Sequence, residues 1–161
     1  MKPTLEALPV RIAVGSDFIG WELKSTLIEL LKADPRVRAI DDLGVDNRED
    51  KSDYPDIGFA VARYISKGKA DRGLLICGTG IGMAISANKT PGIRAATVHD
   101  PYSLERAILS NNCQIICMGA RVVTAELAKN LIAPWLEYTF DPAGPSSLKV
   151  EKINSLEREG L

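Results

Sequence analysis

Cys77, Gly78, Thr79, Gly80, Ile81 and Gly82 put a thiol where an apolar run, residues 73–76, meets a glycine-rich turn. The run reads as a buried strand and residues 83–89 as the helix after it, so the turn aims backbone N–H groups at one point. A thiol beside an anion cradle is a base or nucleophile next to a seat for negative charge. The spacing is neither the G-x-G-x-x-G of a dinucleotide fold nor a phosphate loop with its lysine. A dinucleotide fingerprint would also follow the first strand, which here runs into Ser16-Asp17 without a glycine pair. That sets a nicotinamide cofactor aside.

The elements that must position this thiol alternate along the chain. Short apolar runs at residues 11–16, 38–42, 72–77, 94–99 and 114–118 read as strands, and helical spacing appears between most of them. Residues 21–32 carry Trp21, Leu23, Leu27, Leu30 and Leu31 on one helical face, and residues 56–67 do the same with Ile57, Ala60, Val61, Tyr64 and Ile65. Asp34-Pro35 closes the first helix, Gly68 caps the second, and Thr124 caps a later one that Pro134 is expected to end or kink near Trp135. Residues 141–147 are rich in proline, glycine and serine and read as a linker before a last helix over 148–159. The pattern predicts an α/β fold on a parallel sheet of five strands, with residues 1–161 as one domain whose core spans about 11–140.

In an open parallel sheet, ligands gather beyond the carboxyl ends of the strands. Those ends deliver Ser16 and Asp17, Cys77 with its glycines, His99 and Asp100, and Gly119-Ala120-Arg121. Each alone has an ordinary reading: Asp17 caps a helix, Cys77 is a buried apolar thiol, His99 is a surface residue. An acid, a thiol, an imidazole and a guanidinium on one edge of one sheet instead predict a functional site, with Ser16, His99 and Arg121 among its binding residues.

Composition narrows the partners. The 161 residues are 25% charged and 45% hydrophobic, which suits a globular domain with a real core. A net charge of −1 without a basic run, and only 6% aromatics, argue against a nucleic-acid surface. There is no apolar stretch of about 20 residues and no signal-peptide core at the N-terminus, so no membrane partner and a cytoplasmic location are expected. Cys77, Cys113 and Cys117 form no C-x-x-C pair, and none lies near the lone histidine at ligand spacing, so neither disulfide nor metal is expected.

Asp17-x-x-Gly20, Asp53-Tyr54-Pro55, the Ile76 to Gly82 segment, Ala87-Asn88-Lys89, Gly92-Ile93-Arg94-Ala95, Tyr102-Ser103, Asn111 and Gly119-Ala120-Arg121 together resemble the ribose-5-phosphate isomerase B and galactose-6-phosphate isomerase family. The resemblance implies a Rossmann-like three-layer α/β/α sandwich, a small phosphorylated sugar as substrate, and no cofactor. It also implies a homodimer or dimer of dimers whose active sites are shared between subunits. In that family Cys77 would be the carbon base that interconverts aldose and ketose through an enediolate. A thiol can serve when a helix N-terminus favours its thiolate form. The amides of Gly78, Gly80, Ile81 and Gly82 would form the oxyanion hole, Thr79 would bond near the base, Asp17 would shuttle protons between the two oxygens, and Tyr54 would line the pocket. Asn111 would reach in from the partner subunit.

The departures bear on the substrate. The family's Asp-His after strand one is Asp17-Phe18 here, and its His-Asn after strand four is Ser110-Asn111. The second missing imidazole is the one that opens a furanose ring in the family. A tetrose 4-phosphate cannot close a five-membered ring, because its C4 oxygen is esterified, and residues 105–112 resemble the branch that interconverts D-erythrulose 4-phosphate and D-erythrose 4-phosphate. A tetrose phosphate is therefore favoured, with ribose 5-phosphate as the alternative. A silent sugar-phosphate-binding module and a redox switch at Cys77 are the readings from other classes. The family's C-terminal arginine segment is altered, with Pro145, Ser146 and Lys149 at its positions. Arg121, able to grip phosphate with two hydrogen bonds, heads the candidate anion ligands, ahead of Arg106, Arg94 and Lys149. Arg94 reads as structural at a strand start.

Overall fold

The computed structural model describes residues 9–160. Its elements are β1 (Val10–Ser16), α1 (Trp21–Lys32), β2 (Val37–Asp42), α2 (Tyr54–Ser66), β3 (Arg72–Cys77), α3 (Ile81–Ala87), β4 (Ala95–Thr97), α4 (Pro101–Leu109), β5 (Ile115–Gly119), α5 (Ala125–Glu137) and α6 (Ser147–Arg158). The five strands form one parallel sheet in the order β2-β1-β3-β5-β4. Among the described residues, no helix is long and apolar enough to cross a membrane.

Strand alternation divides the core into two layers. Ile12, Val14, Leu74, Ile76, Ile116 and Met118 pack with α1, α4 and α5 on one face. Ala13, Leu75, Cys77, Ile115 and Cys117 pack with α2 and α3 on the other. Side chains one residue apart point to opposite faces, so strands apolar at every position need helices on both sides. The result is the Rossmann-like α/β/α sandwich that the pattern and the resemblance lead one to expect.

The differences from the sequence reading have local causes. The strand expected over 94–99 is only Ala95–Thr97, at the sheet edge. Side chains take over the pairing at its start: Arg94 N–H donates to Gln114 Oε1 and Ala95 N–H to Asn88 Oδ1, each at 2.8 Å. Pro134 neither ends nor interrupts α5, which continues to Glu137. Beyond the proline, the Arg72 guanidinium donates to the carbonyls of Trp135 and Tyr138, acceptors that the last turn leaves unpaired, and so fastens the end of the helix. α2 begins at Tyr54 rather than residue 56 because Pro55 falls in its first turn, where a missing N–H costs nothing. α3 begins at Ile81, so Ile81 and Gly82 belong to the helix rather than to the turn.

One buried charge fastens the segment between β2 and α2. Lys24 on α1 is only 1% exposed, and its Nζ donates to both oxygens of Asp42 (2.9 and 2.7 Å) and to the carbonyl of Val45 (2.6 Å). Asp42 Oδ1 also accepts from Gly44 N–H at 3.0 Å. A Cβ on Gly44 would stand 2.3 Å from the Ser16 nitrogen, so the loop is pressed onto the end of β1. Removing one partner of such a buried pair typically costs about 3 kcal/mol or more. Lys24→Met is expected to lower unfolding free energy by about that amount and to speed amide exchange over residues 43–53. Unchanged exchange there would show that the pair does not hold the loop.

Candidate active site

β1 connects to β2 on one side while β3 lies on its other side, so the carboxyl ends of β1 and β3 flank the crevice where the strand order reverses. Ligands in open α/β sheets collect at such a point. Asp17 follows β1 and Cys77 ends β3, one on each side.

The turn after β3 is held by the neighbouring strand. Gly80 has φ +77, a left-handed conformation that costs a residue with a side chain about 1–2 kcal/mol. A Cβ there would also lie 2.9 Å from the Met118 carbonyl carbon and 3.1 Å from that of Cys117, so the turn crosses β5 backbone against backbone. Hydrogen bonds pin it: Ala120 N–H donates to Cys77 O (2.8 Å), Arg121 N–H to Gly78 O (3.0 Å) and Thr97 Oγ1 to Gly80 O (3.2 Å). Thr97 escapes a reading by motif, since its part in the site is a cross-strand bond. Gly119, read in the sequence within Gly119-Ala120-Arg121, acts through a close approach, a Cβ there standing 2.7 Å from the Thr79 backbone.

This turn directs its amides unevenly. Gly80 N–H donates to Cys77 Sγ at 3.1 Å, and Ile81 N–H to Thr79 Oγ1 at 3.3 Å. Among the described residues, the amides of Gly78 and Gly82 have no protein acceptor. The four amides expected around an oxyanion thus divide into one aimed at the thiol, one held by Thr79, and two open. Cys77 is buried, whereas Thr79 is exposed.

The other residues take distinct places. Asp17 is 6% exposed, and its Oδ1 accepts from the amides of Ile19 and Gly20, both at 3.0 Å, which fixes the carboxylate at the end of β1. Ser16 is fully buried beside it, and its Oγ has no partner. The Tyr54 ring covers Gly82, where a Cβ would stand 2.4 Å from ring carbon Cε2. Gly119, paired directly with Cys77, donates its N–H to His99 Nε2 at 2.9 Å. That bond makes Nε2 an acceptor and leaves the ring proton of the neutral imidazole on Nδ1. Arg121 borders the turn, its Cδ 3.8 Å from where a Cβ on Gly78 would be.

Arg106, Asn111 and Lys149 are not brought to the turn in the same chain. Asn111 follows the C-terminal end of α4, with Ser110 as the C-cap, and its carbonyl accepts from Arg94 Nε at the entrance to β4. Arg106 bonds Ser110 Oγ and pairs with Glu105. Lys149 lies on α6, which is tied to Arg94 through Asn154 and to the Gly92 amide through Glu157. These contacts put Asn111 and α6 at the amino end of the sheet, opposite Cys77. Arg94 serves as a structural tie, in keeping with its place at a strand start.

The other two thiols are chemically quiet. Burial pushes Cys113 up to about 11, and Cys117, enclosed on β5 between β3 and β4, well above the ordinary thiol value. At pH 8 about one Cys113 in a thousand is then thiolate.

Comparison with known proteins extends this picture. Residues 12–153 match the Ribose/Galactose Isomerase family. The chain is 47% identical over 150 residues to D-erythrulose-4-phosphate isomerase 2 of Mycolicibacterium smegmatis, covering 93% of this chain and 99% of that protein. It is 45% identical over 150 residues to Ribose-5-P isomerase B of Listeria innocua, covering 93% and 99%. The structure of ribose-5-phosphate isomerase B from Mycoplasma genitalium with bound ribulose-5-phosphate matches with a TM-score of 0.87 at 32% identity, covering 95% of this chain and 99% of that one. The fold is thus shared with solved ribose-5-phosphate isomerase B structures. The chain belongs to the ribose/galactose isomerase family.

Two outcomes follow from the geometry. Iodoacetamide at pH 8 should modify Cys77 first, with turnover lost in parallel, and mass spectrometry of peptides should find Cys113 and Cys117 unmodified; first labelling at Cys113 would contradict the assignment of the reactive thiol. Gly80→Ala should cost about 2 kcal/mol in urea unfolding and lower kcat, because both the left-handed turn and the amide aimed at Sγ are disturbed.

Proposed function

We propose that this protein is an aldose–ketose isomerase of a short phosphorylated sugar, with D-erythrulose 4-phosphate and D-erythrose 4-phosphate as the favoured pair. The observation that carries the reading is the Gly80 N–H aimed at Cys77 Sγ at 3.1 Å inside a turn that keeps further amides open. Family membership and the erythrulose-phosphate name of the Mycolicibacterium relative support it.

In this scheme the Cys77 thiolate takes a proton from the carbon beside the carbonyl, and the electron pair moves onto the carbonyl oxygen to give an enediolate. The resulting thiol returns the proton to the neighbouring carbon, and the carbonyl re-forms on the other oxygen. Gly80 N–H stabilises the thiolate, while the amides of Gly78 and Gly82 receive the developing oxyanion. Losing one such donor typically costs about 3 kcal/mol of transition-state stabilisation. Asp17, fixed by two amides, passes the hydroxyl proton between the two oxygens. Thr79 hydrogen-bonds beside the base, and Ser16, Tyr54 and His99 line the sugar. The scheme uses no metal or cofactor.

The choice of tetrose rests on the absence of a ring-opening acid. The chain has a single histidine, His99, whose Nε2 is occupied as acceptor of the Gly119 N–H and which does not stand at the position of the family's second imidazole. Ser110 stands where the family carries its second imidazole. A tetrose 4-phosphate presents an open carbonyl without help. The pentose reading is favoured by the name of the Listeria relative at 45% identity. The enzyme is read as cytoplasmic and as a homodimer or dimer of dimers. In such an assembly Asn111, Arg106 and Lys149, remote from the turn in their own chain, serve the site of a second copy.

Proton NMR in deuterated water, with D-erythrulose 4-phosphate and D-ribose 5-phosphate offered separately, tests the scheme through exchange at the carbon beside the carbonyl. Rapid exchange and conversion of the tetrose with a slow pentose reaction is expected. Preferential turnover of the pentose would overturn the substrate choice, and no exchange with either would favour a binding module. Cys77→Ala should abolish exchange while leaving substrate affinity within about threefold; retained turnover would sink the mechanism.

A further inference from the structure

The only histidine of the chain sits where the edge strand gives out. β4 pairs with β5 in the register Ala95 to Ile115, Ala96 to Ile116 and Thr97 to Cys117, and Val98 N–H still donates to Cys117 O at 2.9 Å. Continued by two residues, that register would set residue 99 opposite Gly119. The backbone does not follow it. Asp100 caps α4, its carboxylate accepting from Ser103 N–H at 2.7 Å, and Pro101 opens that helix, so the chain turns away from the sheet. Gly119 is buried, and a buried N–H without an acceptor is as unfavourable as a lost hydrogen bond. The imidazole of His99 supplies the acceptor, its Nε2 receiving the Gly119 N–H at 2.9 Å. A side chain stands in for a missing ladder carbonyl.

What the imidazole holds is the backing of the thiol's turn. Gly119 lies opposite Cys77 in the pairing of β3 with β5. It approaches Thr79 so closely that a Cβ would stand 2.7 Å from the Thr79 Cα and carbonyl carbon. The next two amides close the turn, Ala120 N–H on Cys77 O at 2.8 Å and Arg121 N–H on Gly78 O at 3.0 Å. Successive amides point to opposite sides, that of Gly119 to His99 and that of Ala120 to Cys77. Residues 119–121 therefore touch 77, 78 and 79, and any tilt of Gly119 is passed to all three contacts. An apolar side chain in place of the imidazole would leave the Gly119 amide to find water, and rotating it outward turns the segment that closes the glycine turn.

We propose that His99 is a positioning residue for the isomerase reaction: by accepting the Gly119 N–H it fixes residues 119–121 and, through them, the orientation of Cys77 and its turn. The role rests on the isomerase reading for the reaction itself. It goes beyond lining the sugar, because it needs an acceptor and neither an acid nor a base. A carboxamide oxygen of similar reach meets the same need, so Gln at this position preserves the tie. The tie orients the groups that act on the reacting carbons and grips no part of the substrate, so its loss falls on kcat more than on KM.

The test compares His99→Leu with His99→Gln, both checked for folding by urea unfolding. Amide hydrogen exchange at Ala120 and Arg121 reads the tie without any assumption about the sugar, and steady-state kinetics read kcat and KM for D-erythrulose 4-phosphate. In the folded Leu variant, exchange of both amides should rise about 10-fold and kcat fall about 10-fold, with KM within about threefold, while the Gln variant stays within about threefold of wild type throughout. The nitrogen NMR spectrum of the wild-type imidazole at pH 8 should show its proton on Nδ1; a proton on Nε2 overturns the bond. Wild-type exchange and kcat in the folded Leu variant overturn the role and leave the isomerase reading standing. A Gln variant as slow as the Leu variant, or a fall in kcat with unchanged exchange, gives the imidazole a direct part on the sugar and overturns the role as well. So does faster exchange with unchanged kcat. Faster exchange that Gln restores, in a protein whose wild type turns over neither sugar, upholds the tie to the turn and defeats the substrate reading instead.

Discussion

The contact on which the site depends is the passage of the glycine turn over β5. Gly80 adopts a left-handed backbone against the carbonyl carbons of Cys117 and Met118, a spacing that leaves no room for a Cβ. The same turn of the chain swings the Gly80 amide onto Cys77 Sγ. Geometry and chemistry are therefore set by one backbone conformation. A residue with a side chain would push the turn off the strand and take the donor away from the thiol in the same movement.

Around that contact the carboxyl edge of the sheet behaves as one hydrogen-bonded unit. The backbone after β5 returns to the turn through Ala120 and Arg121, Thr97 reaches it from β4, and His99 holds the Gly119 amide one strand away from Cys77. Asp17 is held from the opposite side by the amides at the start of α1. Such pre-set donors need little reorganisation when charge develops, which is the condition for electrostatic stabilisation of an enediolate. The use of the only histidine as a hydrogen-bond acceptor has a chemical consequence as well. It commits Nε2 to the scaffold and takes it out of acid catalysis.

The two ends of the sheet are unlike. The carboxyl edge gathers the thiol, the carboxylate and the imidazole. At the amino end, Arg94 ties Asn111, Asn112 and Asn154 together and so docks α6 onto the entrance to β4. Burial keeps Cys113 and Cys117 as thiols, so the chain's three sulfurs do not compete for the same chemistry. Reactivity follows from the position of a group relative to donors and to solvent rather than from its type.

By itself the sequence determined the alternation of strand and helix, the parallel sheet, and the identities of the groups at its carboxyl edge. Hydrophobic period is a local property, and residues 11–16, 72–77 and 114–118 are apolar on both faces because helices cover both. The glycines around Cys77 were legible for the same reason, since a tight turn after a strand leaves a compositional mark. Local pattern made the edge strand β4 too long, since the side chains of Asn88 and Gln114 replace ladder bonds at its start, and missed the passage of α5 through Pro134. Only the tertiary structure decided which amide meets the sulfur, that the Tyr54 ring lies on Gly82, and that His99 bonds Gly119. Each of these is a contact between segments far apart in the chain, fixed by strand order and backbone approach, and no periodicity along the sequence encodes it.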